Sequence, residues 1–101
     1  MSFANQSLTT SASVAAKTKS YFIDVRSPQE FAAGHIEGSI NVPLQMIFSL
    51  ANSDLSPDDV LVVYCASGMR SSQAAEALLS LGYRNVVNAR TLNAAFEMTS
   101  C

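Results

Sequence analysis

The stretch VLVVYCASGMRSSQAAEALLSLG, residues 60–82, decides the fold and places one cysteine between an apolar run and a polar, glycine-containing turn. Residues 60–64 are apolar throughout, which is typical of a parallel strand buried on both faces of a sheet. The segment 71–82 predicts a helix that Gly82 ends. The helix residues expected to face inward are Ala74, Ala75, Leu78, Leu79 and Leu81. The stretch therefore predicts a buried strand, a short turn that begins at Cys65, and an amphipathic helix.

The rest of the chain repeats this alternation of strand and helix. The other predicted strands are residues 21–25, 39–43 and 85–88, the last of them buried, and the other predicted helices are residues 27–34, 44–53 and 91–100. Strands and helices alternating at these lengths imply βαβ units. We therefore expect a three-layer α/β fold, with a mostly parallel central sheet of four to five strands and helices on both faces.

Local signals give more detail for two of these helices. Ser27 and Glu30 form an S-x-x-E capping box, Pro28 suits the first helical position, and Gly34 is expected to end the helix. The apolar spacing of residues 44–53 predicts an α-helix whose inner face carries four residues. They are Leu44, Ile47, Phe48 and Ala51.

Length and composition predict one folded domain. The chain has 101 residues, of which 49% are hydrophobic and 14% charged, so it can bury a real core. We expect a partly ordered N-terminal arm over residues 1–19 and a domain over residues 20–101. The net charge of −2 comes without a cluster of Lys and Arg, so neither nucleic acid nor a membrane surface is an expected partner. We expect a monomer.

The start of the chain and its cysteines bear on location and metal binding. No run approaches the roughly 18 apolar residues of a membrane span, and the start lacks the basic and apolar regions of a signal peptide. Cys65 and Cys101 form no zinc-ligand pattern, and two cysteines make no disulfide framework. We therefore expect a cytoplasmic protein; a periplasmic one stays open if a signal peptide was removed.

Cys65 has two interpretations. A free cysteine is among the most buried residue types, so Cys65 could be inert core. It also follows a central strand, where the working groups of open α/β sheets collect. Gly68 permits a tight turn that can aim successive N–H groups inward, and a helix starting near Arg70 or Ser71 adds its positive end. Because these features lower the pKa of a thiol, they favour a nucleophile.

Two separated motifs make the comparison with a known family specific. FIDVRSPQEFAAGHIEGSINVPL, residues 22–44, resembles the first half of a single-domain rhodanese, with its D-V-R, E-F and G-H-I-x-G-S-x-N-x-P. VVYCASGMRSSQAAEALLSLGYRNVVN, residues 62–88, resembles the second half, with its C-x-S-G-x-R-S. The two motifs lie in the correct order and cover most of the chain.

The resemblance implies a thiosulfate-type sulfurtransferase. Cys65 would be the catalytic residue: its thiolate takes the sulfane sulfur of a small anionic donor as a persulfide, and cyanide, a thiol or a protein then accepts the sulfur. No metal or organic cofactor is implied. The backbone N–H groups expected to hold the persulfide and the leaving oxyanion are those of Ala66, Ser67, Gly68, Met69 and Arg70.

Two alternatives stay open beside this activity. The related dual-specificity phosphatases have a loop one residue longer, whereas Cys65 and Arg70 are separated by four residues. The smaller ring suits a sulfur atom better than a tetrahedral phosphate, which disfavours a phosphatase or an arsenate reductase. The second alternative is a sulfur-relay or binding module whose donor or acceptor is a protein.

Four polar residues of the first motif are interpreted as structural support. Asp24 is expected to accept backbone N–H bonds at a strand end, and Arg26 to pair with Glu30 or another carboxylate. Glu30 has its capping role, and His35 belongs to a turn rather than to a Cys–His dyad.

The C-terminal segment departs from the family. Many relatives carry a Gly-Gly pair and a tryptophan after the last strand, and this chain reads NARTLNAAFEMTSC instead. That difference leaves the rim of the site and the acceptor preference open. Arg90 could offer charge near the mouth, although a solvated arginine is the default interpretation. Cys101 is expected to be a spectator thiol.

Overall fold

A four-stranded parallel sheet forms the centre of the computed structural model, which describes residues 19–99. The strands are β1 (Ser20–Asp24), β2 (Ile40–Asn41), β3 (Val60–Cys65) and β4 (Asn85–Thr91). The helices are α1 (Pro28–Ala33), a 3₁₀ helix (Leu44–Asn52), α2 (Met69–Ser80) and α3 (Leu92–Thr99). The strand order is β2-β1-β3-β4. The expected α/β fold with a parallel sheet is therefore confirmed.

The core lies on both faces of the sheet, because successive residues of β3 point to opposite sides. One buried cluster joins alternate residues of β1 and β3 to the 3₁₀ helix and α2, and includes Ile23, Ile47, Leu50, Leu61, Val63, Cys65, Ala74 and Leu78. The other lies on the side of α3, and consists of Ile36, Val62, Tyr64, Ala89 and Ala95. Cys65 thus continues the inward-facing row of β3 on the side that α2 covers.

The segment 44–53 is a 3₁₀ helix instead of the expected α-helix, and this changes its inner face. A 3₁₀ helix has three residues per turn, so positions three apart line up. Ile47 and Leu50 are buried, with Leu44 packed beside them, whereas Phe48 is 59% exposed and Ala51 is exposed. The prediction that Phe48 and Ala51 face inward is wrong for this reason.

Two further predictions need correction. Leu79 of α2 is 54% exposed, because Ala74 and Leu78 already define the buried stripe of that helix. β4 is longer than residues 85–88 and only partly buried, since it pairs with β3 alone at the edge of the sheet. Its residues alternate between the core and solvent, as expected when one face of an edge strand stays open.

The residues at the ends of the chain lie largely outside this description. Lys19 is the first described residue, and its backbone N–H donates to Asp59 Oδ1 at 2.9 Å. The rest of the predicted arm and Cys101 lie outside the described residues, so the domain boundary at residue 20 stays a prediction. Within residues 19–99, each helix is too short or too polar to cross a bilayer.

Candidate active site

Cys65 is the last residue of the central strand β3 and has no exposed surface. Two backbone N–H groups point at its sulfur: Gly68 donates to Sγ at 3.0 Å and Ser71 at 3.3 Å. α2 begins at Met69, so both N–H groups belong to its N-terminus, where no carbonyl of the helix can pair with them. The sulfur therefore occupies the position at which this helix offers unpaired donors and its positive end.

Gly68 makes this arrangement possible. Its backbone is in the left-handed region, with φ 97° and ψ −13°. Residues with a Cβ adopt that region at a cost, whereas glycine does so freely. The conformation turns the chain from the strand into the helix within three residues and aims the Gly68 N–H back at Sγ.

Ser71 was missed by the sequence analysis, which assigned the N–H groups of residues 66–70. Ser71 is fully buried, and its hydroxyl donates to the Gly68 carbonyl at 3.1 Å and lies 3.4 Å from the Arg90 carbonyl. The signal that could have identified it is its place in the first turn of the helix, three residues after Gly68. Of the five predicted donors, the Gly68 N–H lies 3.0 Å from Sγ, and a hydrogen bond from the Ser67 N–H also acts on the thiol.

The surroundings of Sγ lower its pKa. Burial alone raises the pKa of the Cys65 thiol, because it disfavours the charged thiolate. The hydrogen bonds from Ser71, Gly68 and Ser67 act in the opposite direction and outweigh burial. The net result is a pKa below the ordinary value of 9.0. A lowered pKa raises the fraction of thiolate, which is the nucleophilic form, whereas an inert core cysteine would have its pKa raised.

Comparison with known proteins identifies the family to which this chain belongs. The family described as the Rhodanese-like domain matches residues 9–91. The chain belongs to that family. It is 39% identical over 70 residues to the Thiosulfate sulfurtransferase PspE of Escherichia coli, covering 68% of this chain and 67% of PspE. It is 38% identical over 68 residues to a protein of Allochromatium vinosum named Sulfurtransferase, covering 67% of this chain and 63% of that protein.

A solved structure described as "rhodanese with anions from E. coli" has the same fold. It superposes with a TM-score of 0.69 at 37% identity, covering 74% of this chain and 89% of that chain. The two named relatives are both sulfurtransferases by name, and this chain spans about two thirds of the length of each.

In this rhodanese-like domain Arg70 is not a free cation. Its Nη1 and Nη2 donate to the two oxygens of Glu30 at 2.7 and 3.1 Å. The Arg70 guanidinium lowers the pKa of Glu30 to about 2, helped by the N–H of Ser27. Both side chains are about one-third exposed. The pair ties the N-terminus of α1 to that of α2, so the structure brings these two predicted residues together and leaves the Arg70 charge compensated.

Glu30 also closes the capping box of α1, as predicted. Its Oε1 accepts the Ser27 N–H at 2.9 Å, and the Ser27 hydroxyl accepts the Glu30 N–H at 3.2 Å. The same oxygen therefore receives hydrogen bonds from the cap of α1 and from Arg70 at the end of the Cys65 loop, residues 65–70. This double use explains why one carboxylate can align both helix N-termini.

Asp24 and Arg26 form a buried ion pair under the loops. Asp24 accepts the Arg26 backbone N–H at 2.9 Å and its guanidinium at 2.7 Å. Arg26 also donates to the Gly34 carbonyl at 2.6 Å and lies 5.7 Å from the ring centroid of Tyr64. Asp24, not Glu30, is thus the partner of Arg26. These contacts place Asp24 in a bracing position rather than free to act as a base.

His35 contacts helix α1. Its ring stacks on Phe31 with centroids 3.6 Å apart, and Nδ1 lies 2.7 Å from the Phe31 carbonyl. The same carbonyl accepts the Gly34 N–H at 3.2 Å, so both hydrogen bonds lie at the C-terminal end of α1. His35 is thus packed against α1, and its role in a structural turn stays a prediction.

A groove on the protein surface lies away from the outer edge of the site. Met69 begins α2 and is 72% exposed. A groove of about 460 Å³ runs between the 3₁₀ helix and α2, with Phe48 and Gln73 on its walls. No residue of the Cys65 loop lines it. Among residues 19–99 there is no cluster of three or more His, Cys, Asp or Glu that could hold a metal ion.

Proposed function

We propose that this rhodanese-like domain is a thiosulfate-type sulfurtransferase that carries a sulfane sulfur as a persulfide on Cys65. The observation that carries the proposal is the convergence of the Gly68 and Ser71 N–H groups on Sγ, 3.0 and 3.3 Å away. Donors fixed in this way stabilise an anion without reorganising during the reaction. They suit both the thiolate that attacks and the persulfide that follows.

The reaction has two half-reactions that return the enzyme to its starting state. The Cys65 thiolate attacks the outer sulfur of thiosulfate, the S–S bond of the donor breaks, and sulfite leaves with the electron pair. The new bond joins Sγ to the transferred sulfur. An acceptor nucleophile then attacks that sulfur, and the Sγ–S electron pair returns to Cys65 as thiolate. With cyanide as the acceptor, the product is thiocyanate.

The residues around Cys65 have separate roles in this scheme. Gly68 and Ser71 hold the sulfur, and the Glu30–Arg70 ion pair holds the Cys65 loop against the N-terminus of α1. Cys65 has no exposed surface, so neighbouring residues must move before a donor reaches Sγ. The loop with four residues between Cys65 and Arg70 supports sulfur transfer over phosphate chemistry.

The test is turnover with thiosulfate and cyanide, followed as thiocyanate release. We expect parallel double-reciprocal plots, because the two half-reactions share one covalent intermediate. Cys65→Ser should abolish turnover, and the matched variant Cys101→Ser should retain it. Loss of turnover in Cys101→Ser alone would contradict the assignment of Cys65. Hydrolysis of an aryl phosphate at a comparable rate would favour the phosphatase alternative.

The identity of the acceptor is tested separately. The persulfide form of the protein is offered cyanide, small thiols and thioredoxin-like proteins, and loss of the sulfur is timed. Slow thiosulfate turnover together with rapid transfer to a protein would favour a sulfur-relay role. Faster transfer to cyanide or a small thiol would support the enzymatic role.

A further inference from the structure

Arg90 has an unusual backbone. Within residues 19–99 it is the one non-glycine residue with a positive φ, 76°. A residue with a Cβ pays roughly 1–2 kcal/mol for this region, so it persists only where the surroundings impose it. Val63 pairs with Asn88 and Tyr64 with Arg90, which leaves Ala89 as an extra residue in β4. Such a bulge redirects the side chain that follows it.

Hydrogen bonds connect this bulge to the Cys65 loop. The Arg90 N–H donates to Asn88 Oδ1 at 3.0 Å, and the Asn88 amide donates to the Ser72 hydroxyl at 3.0 Å. The Arg90 carbonyl lies 3.4 Å from the hydroxyl of Ser71, whose N–H binds Sγ. The backbone of Arg90 is therefore held by the same turn of α2 that holds the sulfur.

The side chain of Arg90 lies over Gly68. A Cβ placed on Gly68 would be 3.4 Å from Arg90 Cβ, 3.7 Å from Cγ and 3.8 Å from Nη1. Since the Gly68 nitrogen is 3.0 Å from Sγ, standard bond lengths put Nη1 within about 9 Å of the sulfur. The guanidinium and Sγ thus both lie close to Gly68.

Arg90 also differs from the other arginines in charge compensation. The ion pairs found among residues 19–99 engage Arg26, Arg70 and Arg84. Arg90 is exposed and outside these pairs. Because Glu30 holds Arg70 through both oxygens, Arg90 is the cation beside the loop that can receive an anion without first giving up a carboxylate.

We propose that Arg90 determines donor specificity by binding the oxyanion end of the sulfur donor while the loop binds the sulfur. The favoured donors carry a sulfonate-type group next to the sulfane sulfur. When the donor S–S bond breaks, the electron pair and the negative charge stay on the departing sulfite, and Arg90 donates hydrogen bonds to its oxygens. The donor part of this inference rests on the proposed sulfurtransferase activity.

An alkylation experiment tests the charge effect without relying on that activity. Iodoacetate and iodoacetamide have similar size, but only iodoacetate is an anion. Their rate constants at Cys65 are measured by peptide mass spectrometry for the wild type and for Arg90→Met, Arg90→Lys and Arg90→Gly. Arg84→Met is the matched control, because Arg84 is an exposed arginine that precedes β4 at the opposite end of that strand.

We expect Arg90→Met and Arg90→Gly to lower the iodoacetate-to-iodoacetamide ratio by about 2- to 5-fold, the range for one exposed charge-assisted contact. Arg90→Lys should keep most of the ratio, and Arg84→Met should leave it unchanged. Arg90→Gly relieves the positive φ, so it guards against a folding defect. An unchanged ratio in both Arg90→Met and Arg90→Gly, or an equal fall in Arg84→Met, would overturn the proposal.

Steady-state kinetics then test the donor. In Arg90→Met the KM for thiosulfate should rise by about 2- to 5-fold on the same grounds, with the KM for cyanide unchanged. An unchanged KM for thiosulfate would refute donor binding by Arg90. A wild-type protein that turns over no thiosulfate would contradict the proposed function, and the alkylation ratio would still decide whether Arg90 attracts anions at Cys65.

Discussion

Replacing Gly68 with alanine tests whether the conformation of the Cys65 loop sets the pKa of the thiol. Gly68 has φ 97°, a region that costs an alanine roughly 1–2 kcal/mol. The nearest atom to the new Cβ would be Arg90 Cβ at 3.4 Å, which is an ordinary contact, so backbone strain rather than crowding dominates. We expect the chain to relieve that strain by rotating φ, which would move the Gly68 N–H away from Sγ.

The size of the effect on the thiol follows from the lost hydrogen bond. A hydrogen bond to a charged group contributes about 1.5–3 kcal/mol, and one pKa unit corresponds to about 1.4 kcal/mol. Because Ser71 still donates to Sγ in the variant and the Gly68 N–H is displaced rather than removed, we expect a rise in the thiol pKa of about one unit. The rate of alkylation by iodoacetamide as a function of pH reports this pKa.

Gly82→Ala is the matched control. Gly82 has φ 103°, and a Cβ there would meet nothing within 4 Å, so the substitution imposes similar strain at the far end of α2. Both variants should lose about 1–2 kcal/mol of unfolding free energy in urea, and only Gly68→Ala should shift the thiol pKa. Equal stability losses with an unchanged pKa in Gly68→Ala would refute the link between this turn and the thiolate.

The other predictions concern the supports of the site. Arg70 lowers the pKa of Glu30 from 4.5 to about 2, so the stabilisation from this pair is present above pH 4.5 and is lost as the pH falls through about 2. Glu30→Gln should therefore flatten the pH dependence of urea unfolding in that window, by no more than about 1 kcal/mol because the pair is one-third exposed; an unchanged profile would contradict this. Tyr64→Phe removes the buried hydroxyl that accepts the Ile36 N–H at 3.1 Å and should cost about 1–3 kcal/mol in urea unfolding. A loss below about 0.5 kcal/mol would show that the N–H finds another partner.

The features that the sequence predicted correctly depend on neighbouring residues. The capping box of α1 involves Ser27 and Glu30 only three positions apart, and both hydrogen bonds are present. The apolar run of β3 and the glycine after it are equally local, which is why the strand end, the tight turn and the candidate nucleophile Cys65 could all be predicted. The parallel arrangement followed from the alternation of strands with helices.

The features that the sequence did not reveal depend on pairings between distant segments or on the exact helix type. Glu30 and Arg70 are 40 positions apart, and no local pattern joins them. Phe48 was assigned inward on an α-helical period, and the tighter 3₁₀ helix buried Leu50 instead. The positive φ of Arg90 arises from the register of β4 against β3, which is a property of the sheet.

Ser71 was missed for a related reason. Whether its N–H points at Sγ depends on where α2 begins, and a shift of the helix start by one residue would redirect it. Sequence-based helix boundaries are uncertain by this amount. The donors around a loop cysteine are therefore predictable as a group, whereas the individual N–H that binds the sulfur is not.

The central claim is that the Cys65 thiolate accepts a sulfane sulfur, and intact-mass spectrometry tests it most directly. The reduced, folded protein is incubated with thiosulfate and separated from excess donor. Its intact mass is then measured before and after addition of cyanide. The account predicts a gain of one sulfur atom that cyanide removes, present in Cys101→Ser and absent in Cys65→Ser. No sulfur adduct on folded wild-type protein, or an adduct that persists in Cys65→Ser, would contradict it.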